Sequence, residues 1–325
     1  MFKDYSMQLL VESVSVVVPV YNSCATLREL YNRLCRVLDS EVRVFEVLFI
    51  DDGSRDGCWE VLADFSRMDP RIRSFRLMRN YGQHNAVLCG IREARYSTIV
   101  TIDDDLQQSP EDIPKLLALL SENDVVYGIF QEEKHGFFRR IASVLIKTLL
   151  QKTMGVSIAI SMSSFRAFRT ELRKSFVTYC GAMPIVDVLL SWGTSRFGSV
   201  PVSHHVRQEG SSGYDFYKLV VHAFNIITGF TTIPLRIGSC LGFVLTLCGL
   251  GLLFFIVGRF ALYGTSVPGF PFLASIICIF SGAQFFVVGI MGEYLARMHQ
   301  RLMDKPTYTV AETINSQLPP AKPRA

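Results

Sequence analysis

The stretch "TIVTIDDDLQQSPEDIP", Thr98 to Pro114, sets three aspartates directly behind an apolar run. The run is short, β-branched and unalternating, which is the pattern of a strand buried on both faces. Ser109 and Pro110 then open a helical pattern, "SPEDIPKLLALLSE". The stretch therefore predicts strand, acidic loop, helix. Adjacent carboxylates repel, and crowding them at a strand end is costly. Asp103, Asp104 and Asp105 either stand in water as a turn or are gathered by something cationic.

The same unit recurs on the N-terminal side. "SVSVVVPVYN" ends in Tyr21-Asn22, and "VFEVLFIDDGS" ends in Asp51-Asp52-Gly53-Ser54. "IRSFRLM" and "DVVYGIF" read as further strands. Between them lie helical patterns, the clearest being "CATLRELYNRLCRVLDS", with Leu27, Leu30, Leu34 and Leu38 along one face. Strand–helix alternation with buried strands predicts an α/β fold on a parallel sheet. Ligands of such sheets bind at the carboxyl ends of the strands. Three strands end in polar clusters, two of them acidic, so one shared acidic site is expected. An Asp-x-Asp pair at a strand end suits Mg²⁺ or Mn²⁺, which take oxygen ligands and share them with substrate phosphates. Gly53, Gly57 and Gly82 read as turn residues. Trp59 and Trp192 read as core, His84, His204 and His205 as polar surface, and Asp187 as structural rather than catalytic.

From Ile237 to Gly292 the only charged residue is Arg259. The runs Ile237–Val257 and Gly269–Gly292 each reach the roughly 20 residues needed to cross a bilayer core of about 30 Å. A hairpin of two transmembrane helices, near 237–259 and 269–292, is expected within a membrane domain at 231–301. Lys218 and Arg236 precede it, Arg297, Arg301 and Lys305 follow it, and residues 260–268 carry no basic group. The positive-inside rule then puts both termini in the cytoplasm, with Arg259 as a counter-signal. Residues 1–230 become a cytosolic domain, since the N-terminus shows no secretory pattern. Basic amphipathic segments near 135–155 and 214–230 are expected at the membrane interface. The tail at 302–325 reads as disordered. Eight scattered cysteines without a Cys-x-x-Cys pair argue against zinc or a disulfide framework. The net charge of +4 is modest, and the basic residues suit anionic lipid heads better than nucleic acid.

"VVVPVYN", "IDDGSRDG", "RNYGQHNAVLCGI" and "DDDLQQSPEDIP" resemble, in order and spacing, the family 2 glycosyltransferases. The resemblance covers Ser13 to about Leu120. "SSFRAFR", "VRQEGSSGYDFYKL", "TTIPLRIG" and "GAQFFVVGIMGEYLARM" narrow it to the polyprenyl-phosphate glycosyltransferases, whose bacterial members carry a two-helix anchor. The resemblance implies a Rossmann-like nucleotide-sugar-binding domain of the GT-A type. It implies a metal-dependent, inverting hexosyl- or aminopentosyltransferase at the inner membrane. The partners implied are a nucleotide-sugar donor, polyprenyl (undecaprenyl) phosphate, the lipid bilayer and a second copy in a homo-oligomer. The product is a lipid-linked sugar for cell-envelope glycans such as lipopolysaccharide. Pro19, Tyr21, Ile50 and Asp52 match positions around the base and ribose. Asp103, Asp104, Asp105 and Gln107 match the motif for metal and donor diphosphate, with Asp103, Asp105 and Gln107 as metal ligands. Arg139 and Ser143 match positions near the acceptor phosphate, and Arg207 an arginine on the donor diphosphate, which joins Asp103 and Asp105 in the catalytic set.

The sequence departs from the family pattern at four places. Ser23 stands where an acid often follows Tyr-Asn, and Gly213 where a lysine is common, with Lys218 as an alternative donor of that charge. "ISMSSFR" lacks the usual aspartate, and no arginine stands near Ile129–Phe130. The chemistry is coherent without the family. A leaving diphosphate needs electrostatic stabilisation as charge develops on it. A phosphate monoester with a second pKa of about 6 is already a nucleophile at neutral pH, so no protein base is required. Two other readings stay open. A processive polysaccharide synthase usually carries Gln-x-x-Arg-Trp and more membrane helices, neither visible here. The other is a non-catalytic transferase domain serving as a membrane scaffold or flippase partner.

Overall fold

A computed structural model describes residues 11–130, 163–181, 184–203, 233–263, 269–303 and 306–315. The chain divides into two units, Met1–Ser211 with Lys305–Ala325, and Ser212–Asp304.

The first unit is built on an eight-stranded mixed sheet. Its strands are β1 (Val11–Val20), β2 (Val42–Asp51), β3 (Ile72–Leu77), β4 (Thr98–Thr101), β5 (Val125–Phe130), β6 (Arg166–Arg169), β7 (Phe197–Val202) and β8 (Val310–Ile314), in the order β7-β5-β6-β4-β1-β2-β3-β8. The first four strands expected from the strand–helix alternation form the parallel centre, β4-β1-β2-β3. The expectation of a wholly parallel sheet is corrected at two places. β6, within "SSFRAFR", runs antiparallel between β4 and β5. β8 runs antiparallel along β3 and lies in the tail expected to be disordered. Glu312 on β8 accepts the indole N–H of Trp59 at 3.1 Å, and Thr309 O accepts the Met78 N–H at 2.9 Å. These partners are far away in sequence, so local composition does not reveal them.

Helices cover both faces. They are α1 (Cys24–Glu41), α2 (Cys58–Met68), α3 (Gln83–Glu93), α4 (Ile113–Leu119, led by a 3₁₀ turn at Pro110–Asp112) and α5 (Val186–Ser191). Leu27, Leu30, Leu34 and Leu38 of α1 are all buried in one apolar cluster with the outward faces of β1 and β2. Each contributes about 1.5–3 kcal/mol over an exposed position. α3 and α5 close the opposite face around Val17, Leu48, Ile50 and Phe75. Trp59 is buried as expected, but Trp192 is 53% exposed, set edge-on to Tyr179.

In the second unit, α6 (Ile233–Tyr263) and α7 (Phe270–Leu302) form where the hairpin is expected. Among the described residues no helix is long and apolar enough to cross a membrane; the side chains of many positions within both helices lie outside that set. The full sequence of the helices is uncharged over 237–258 and 270–292. Large apolar side chains point outward along them, including Phe243, Phe254, Phe255, Leu273, Phe285 and Phe286. Gly249 faces the Phe280 ring so closely that a Cβ there would stand 2.9 Å from it. The segments at 135–155 and 214–230 lie outside the described residues, as do Arg139, Ser143, Arg207, Gly213 and Lys218.

Candidate active site

Register brings the three polar strand ends together. Pro19 pairs with Ile50 and Val20 with Asp51 across β1 and β2, while Val17 pairs with Thr101 across β1 and β4. Ladder-like bonds continue past the strands, Asp52 N–H to Val20 O at 2.9 Å and Ile102 N–H to Val17 O at 3.2 Å. Tyr21, Asp52 and the aspartate triplet therefore emerge side by side. They line a cavity of about 250 Å³ with Pro19, Val20, Asn80, Gly82 and Gln83.

The aspartates are held in different ways. Asp52 is buried, and its two oxygens accept the N–H groups of Tyr81 at 2.7 Å and Gly82 at 2.8 Å. Burial raises its pKa above the ordinary value, opposed by those two bonds. The Tyr81–Gly82 loop reaches Asp52 because Gly53 gives it room. Gly53 has φ +74°, and a Cβ there would meet the backbone of Arg79 at 2.8 Å and Asn80 at 2.9 Å. Asp104 ties the end of β4 to the start of α1. Its Oδ2 accepts the Tyr21 N–H at 3.0 Å and the Ser23 hydroxyl, while Thr26 Oγ1 donates to its carbonyl at 2.6 Å. Ser23, which stands where an acid is common, is thus the donor that steadies Asp104. Burial nevertheless pushes Asp104 up to about 6.

Asp103 is clasped most tightly. Gln83 Nε2 donates to Oδ1 at 2.6 Å, and Ser164 Oγ and Gln108 Nε2 donate to Oδ2 at 2.5 and 3.0 Å. Gln108 also takes the Asp103 N–H on Oε1 at 3.0 Å and donates to Ser164 Oγ at 2.7 Å. Burial raises the Asp103 pKa, the Ser164 bond lowers it, and Asp105 raises it again. Asp105 accepts the Gln107 N–H on Oδ1 at 3.2 Å.

The cavity gathers Pro19, Tyr21, Asp52, Asp103, Asp104 and Asp105, as the sequence predicts. Ile50 and Gln107 are not among its lining residues. Ile50 is fully buried in the apolar cluster beneath, as the penultimate residue of β2. Gln83, Gln108 and Ser164 were not expected. The sequence signal for Gln108 is the Gln107-Gln108 doublet. Asp187 accepts the Tyr127 hydroxyl at 3.0 Å and pairs with fully buried Arg166, which makes it structural.

The donor set fits a hard divalent cation. Oxygen ligands converge, and the two buried carboxylates beside Asp105 carry raised pKa values that a cation relieves. Among the described residues no group of three or more His, Cys, Asp or Glu forms a ready metal cage. A site completed by substrate phosphates needs only one or two carboxylates.

Residues 15–176 match Glycosyl transferase family 2. The chain is 35% identical, over 95% of its length and 96% of the relative's, to undecaprenyl-phosphate 4-deoxy-4-formamido-L-arabinose transferase of Salmonella choleraesuis (strain SC-B67). It is 33% identical over the same shares to the protein of that name in Edwardsiella ictaluri (strain 93-146). Among solved structures it is similar to glucosyl-3-phosphoglycerate synthase from Mycobacterium tuberculosis, crystallised with Mn²⁺, UDP and phosphoglyceric acid, at 18% identity over 67% of this chain and 77% of that one, with TM-score 0.49. The chain belongs to glycosyl transferase family 2, and it is a glycosyltransferase.

Proposed function

We propose that this glycosyltransferase moves a sugar from a nucleotide-sugar donor to undecaprenyl phosphate and is anchored in the inner membrane by α6 and α7. The observation that carries the reading is the convergence of Asp52 and Asp103–Asp105 on one cavity at the carboxyl ends of β1, β2 and β4. The relatives' names support the acceptor, and the near-complete alignment extends through both long helices.

In this reading the base and ribose lie near Pro19, Tyr21 and Asp52, and the diphosphate near the triplet. Asp103 and Asp105 would hold Mg²⁺ or Mn²⁺, which neutralises charge on the leaving diphosphate. Gln83 and Ser164 oppose the rise that burial imposes on the Asp103 pKa, and with Gln108 they aim the carboxyl. Arg207 adds positive charge at the diphosphate, and Arg139 with Ser143 receives the acceptor phosphate. That phosphate attacks the anomeric carbon in line, the diphosphate leaves, and the configuration inverts. The uncharged runs of α6 and α7, their outward phenylalanines and the basic flanks support a hairpin with both termini in the cytoplasm.

The test is transfer by the purified full-length protein with Mn²⁺, undecaprenyl phosphate and a panel of labelled nucleotide sugars. One labelled sugar should enter an organic-soluble, single-sugar product. A polymer points instead to a processive synthase, and no incorporation across the panel to a scaffold.

A further inference from the structure

The first unit exposes an apolar face far in sequence from the acidic cavity. Val177 and Trp192 are each 53% exposed. Trp192 caps the C-terminus of α5, and its ring meets the Tyr179 ring edge-on with centroids 5.9 Å apart. The base beneath them is packed. Phe176, Leu189 and Leu190 are buried in the cluster that α3 and α5 share. Gly193 lies so close to the 3₁₀ turn Thr170–Ser175 that a Cβ there would stand 2.7 Å from Ser175 Oγ. That turn carries one exposed acid and one exposed base, Glu171 and Lys174, so the face is apolar with no net charge beside it.

The same loop is joined to the chain that follows α7. Arg92 of α3 donates from Nη2 to the carbonyls of Val177 at 3.3 Å and Tyr179 at 2.6 Å, and from Nη1 to Thr307 Oγ1 at 3.2 Å. One guanidinium thus holds the loop and Thr307 together. Thr307 stands five positions after Leu302, the last residue of α7, and five residues extend about 18 Å at most. α7 keeps exposed apolar side chains to its end, at Leu295, Met298 and Leu302. Lipid around that end is therefore within a short tether of the Arg92 junction.

We propose that Val177, Tyr179 and Trp192 form a bilayer-contact surface of the first unit, seated at the level of the lipid headgroups. Tryptophan and tyrosine suit that depth because each joins an apolar ring to a polar group. The surface inserts by its apolar side chains, since Glu171 and Lys174 offset one another toward anionic heads. It holds the unit against the membrane to which a lipid acceptor is confined. The proposal rests on the reading of α6 and α7 as a membrane hairpin.

The test uses the chain's own tryptophans. There are two, Trp59 and Trp192, and Trp59 is buried with its N–H on Glu312. Full-length protein is placed in nanodiscs of phosphatidylethanolamine and phosphatidylglycerol, either plain or with acyl chains brominated near the headgroup. Bromine quenches tryptophan by contact. Wild-type protein should lose emission in the brominated discs, and the loss should vanish in Trp192→Phe. Met68→Trp in that background puts a tryptophan on an exposed position of α2 and should stay unquenched. Equal wild-type emission in both discs overturns the proposal, and so does equal quenching of Met68→Trp. Trp192 emission quenched neither by bromine nor by dissolved iodide also overturns it, and assigns the face to a protein cover such as a second copy. Co-elution with the discs reads the hairpin separately. Protein that stays out of them counts against the hairpin. Added then to vesicles of the same brominated lipids, it upholds the patch if Trp192 is quenched and overturns it if Trp192 is not.

Discussion

Ser164→Ala isolates the electrostatics of the aspartate triplet, because Ser164 holds Asp103 without lining the cavity. Asp103 has three side-chain donors, and Ser164 Oγ at 2.5 Å is the shortest. A hydrogen bond to a charged group is worth about 1.5–3 kcal/mol. Gln83 and Gln108 remain, so the low end applies, about tenfold in an equilibrium. The sign is fixed by the cause. Burial already raises the Asp103 pKa and the Ser164 bond opposes it, so its loss raises the pKa further. More of the carboxyl is then protonated at a given pH, and a cation must displace that proton. The assay is initial transfer rate against Mn²⁺ concentration at pH 6, 7 and 8. Half-saturating Mn²⁺ should rise by up to about tenfold in the variant, with the gap widest at the lowest pH, where the proton competes most with the cation. Equal Mn²⁺ requirements at every pH would refute the reasoning, and a gap independent of pH would assign Ser164 to geometry alone.

Asp105→Ala should lower turnover on the order of 10²–10³-fold with unfolding midpoints unchanged, since it removes stabilisation of the leaving group; near-full activity in the transfer assay defeats the metal assignment. Gly53→Ala should destabilise the first unit by at least about 1–2 kcal/mol from its φ of +74° alone, with more from the clash at Arg79, read as a lower urea midpoint. Asp104 titrates near 6 in the fold against an ordinary value of 3.8. Its contribution to stability is therefore present below about pH 4 and lost as pH rises through about 6, so metal-free protein should lose this contribution to thermal stability between about pH 4 and 6 and added Mn²⁺ should offset the loss. Glu111, held down to about 2 by Arg33, acts in the opposite sense, losing its contribution as pH falls from about 4.5 towards 2.

The sequence disclosed the parts of the site that depend on local pattern. Buried strands, the leucine stripe of α1 and the positive-φ glycines at 53, 57 and 82 all follow from short-range preferences. Parallel register then places the strand ends together without further information. Two things were hidden. The first is side-chain direction within the acidic loop. Leu106 adopts φ +60°, which turns the chain so that Gln108, not Gln107, reaches Asp103. A leucine carries no signal for that conformation. The second is long-range pairing. β6 separates β4 from β5, and β8 joins β3 from the far end of the chain. Nothing in "VAETI" separates an edge strand from a loop until its partner is known.

The buried pair beneath the triplet bears on catalysis as much as on folding. Arg166 is fully buried, ion-paired to Asp187, and donates from Nε to Thr101 Oγ1 at 3.1 Å. Thr101 in turn donates to the Ser164 carbonyl at 2.5 Å, two residues before β6 begins. Buried ion pairs seldom stabilise a fold beyond what apolar residues of similar volume achieve. The Arg166 charge, however, lowers the Asp103 pKa from below while the donor ring acts from the side. Asp187 is the counter-ion that keeps this cation in place, and with the Tyr127 hydroxyl also upon it, its Oδ1 is committed to the core. Asp187, which the sequence reads as structural rather than catalytic, is thereby unavailable as a base. A nucleophile that arrives ionised, as a phosphate monoester does at neutral pH, is the one for which that commitment carries no catalytic cost.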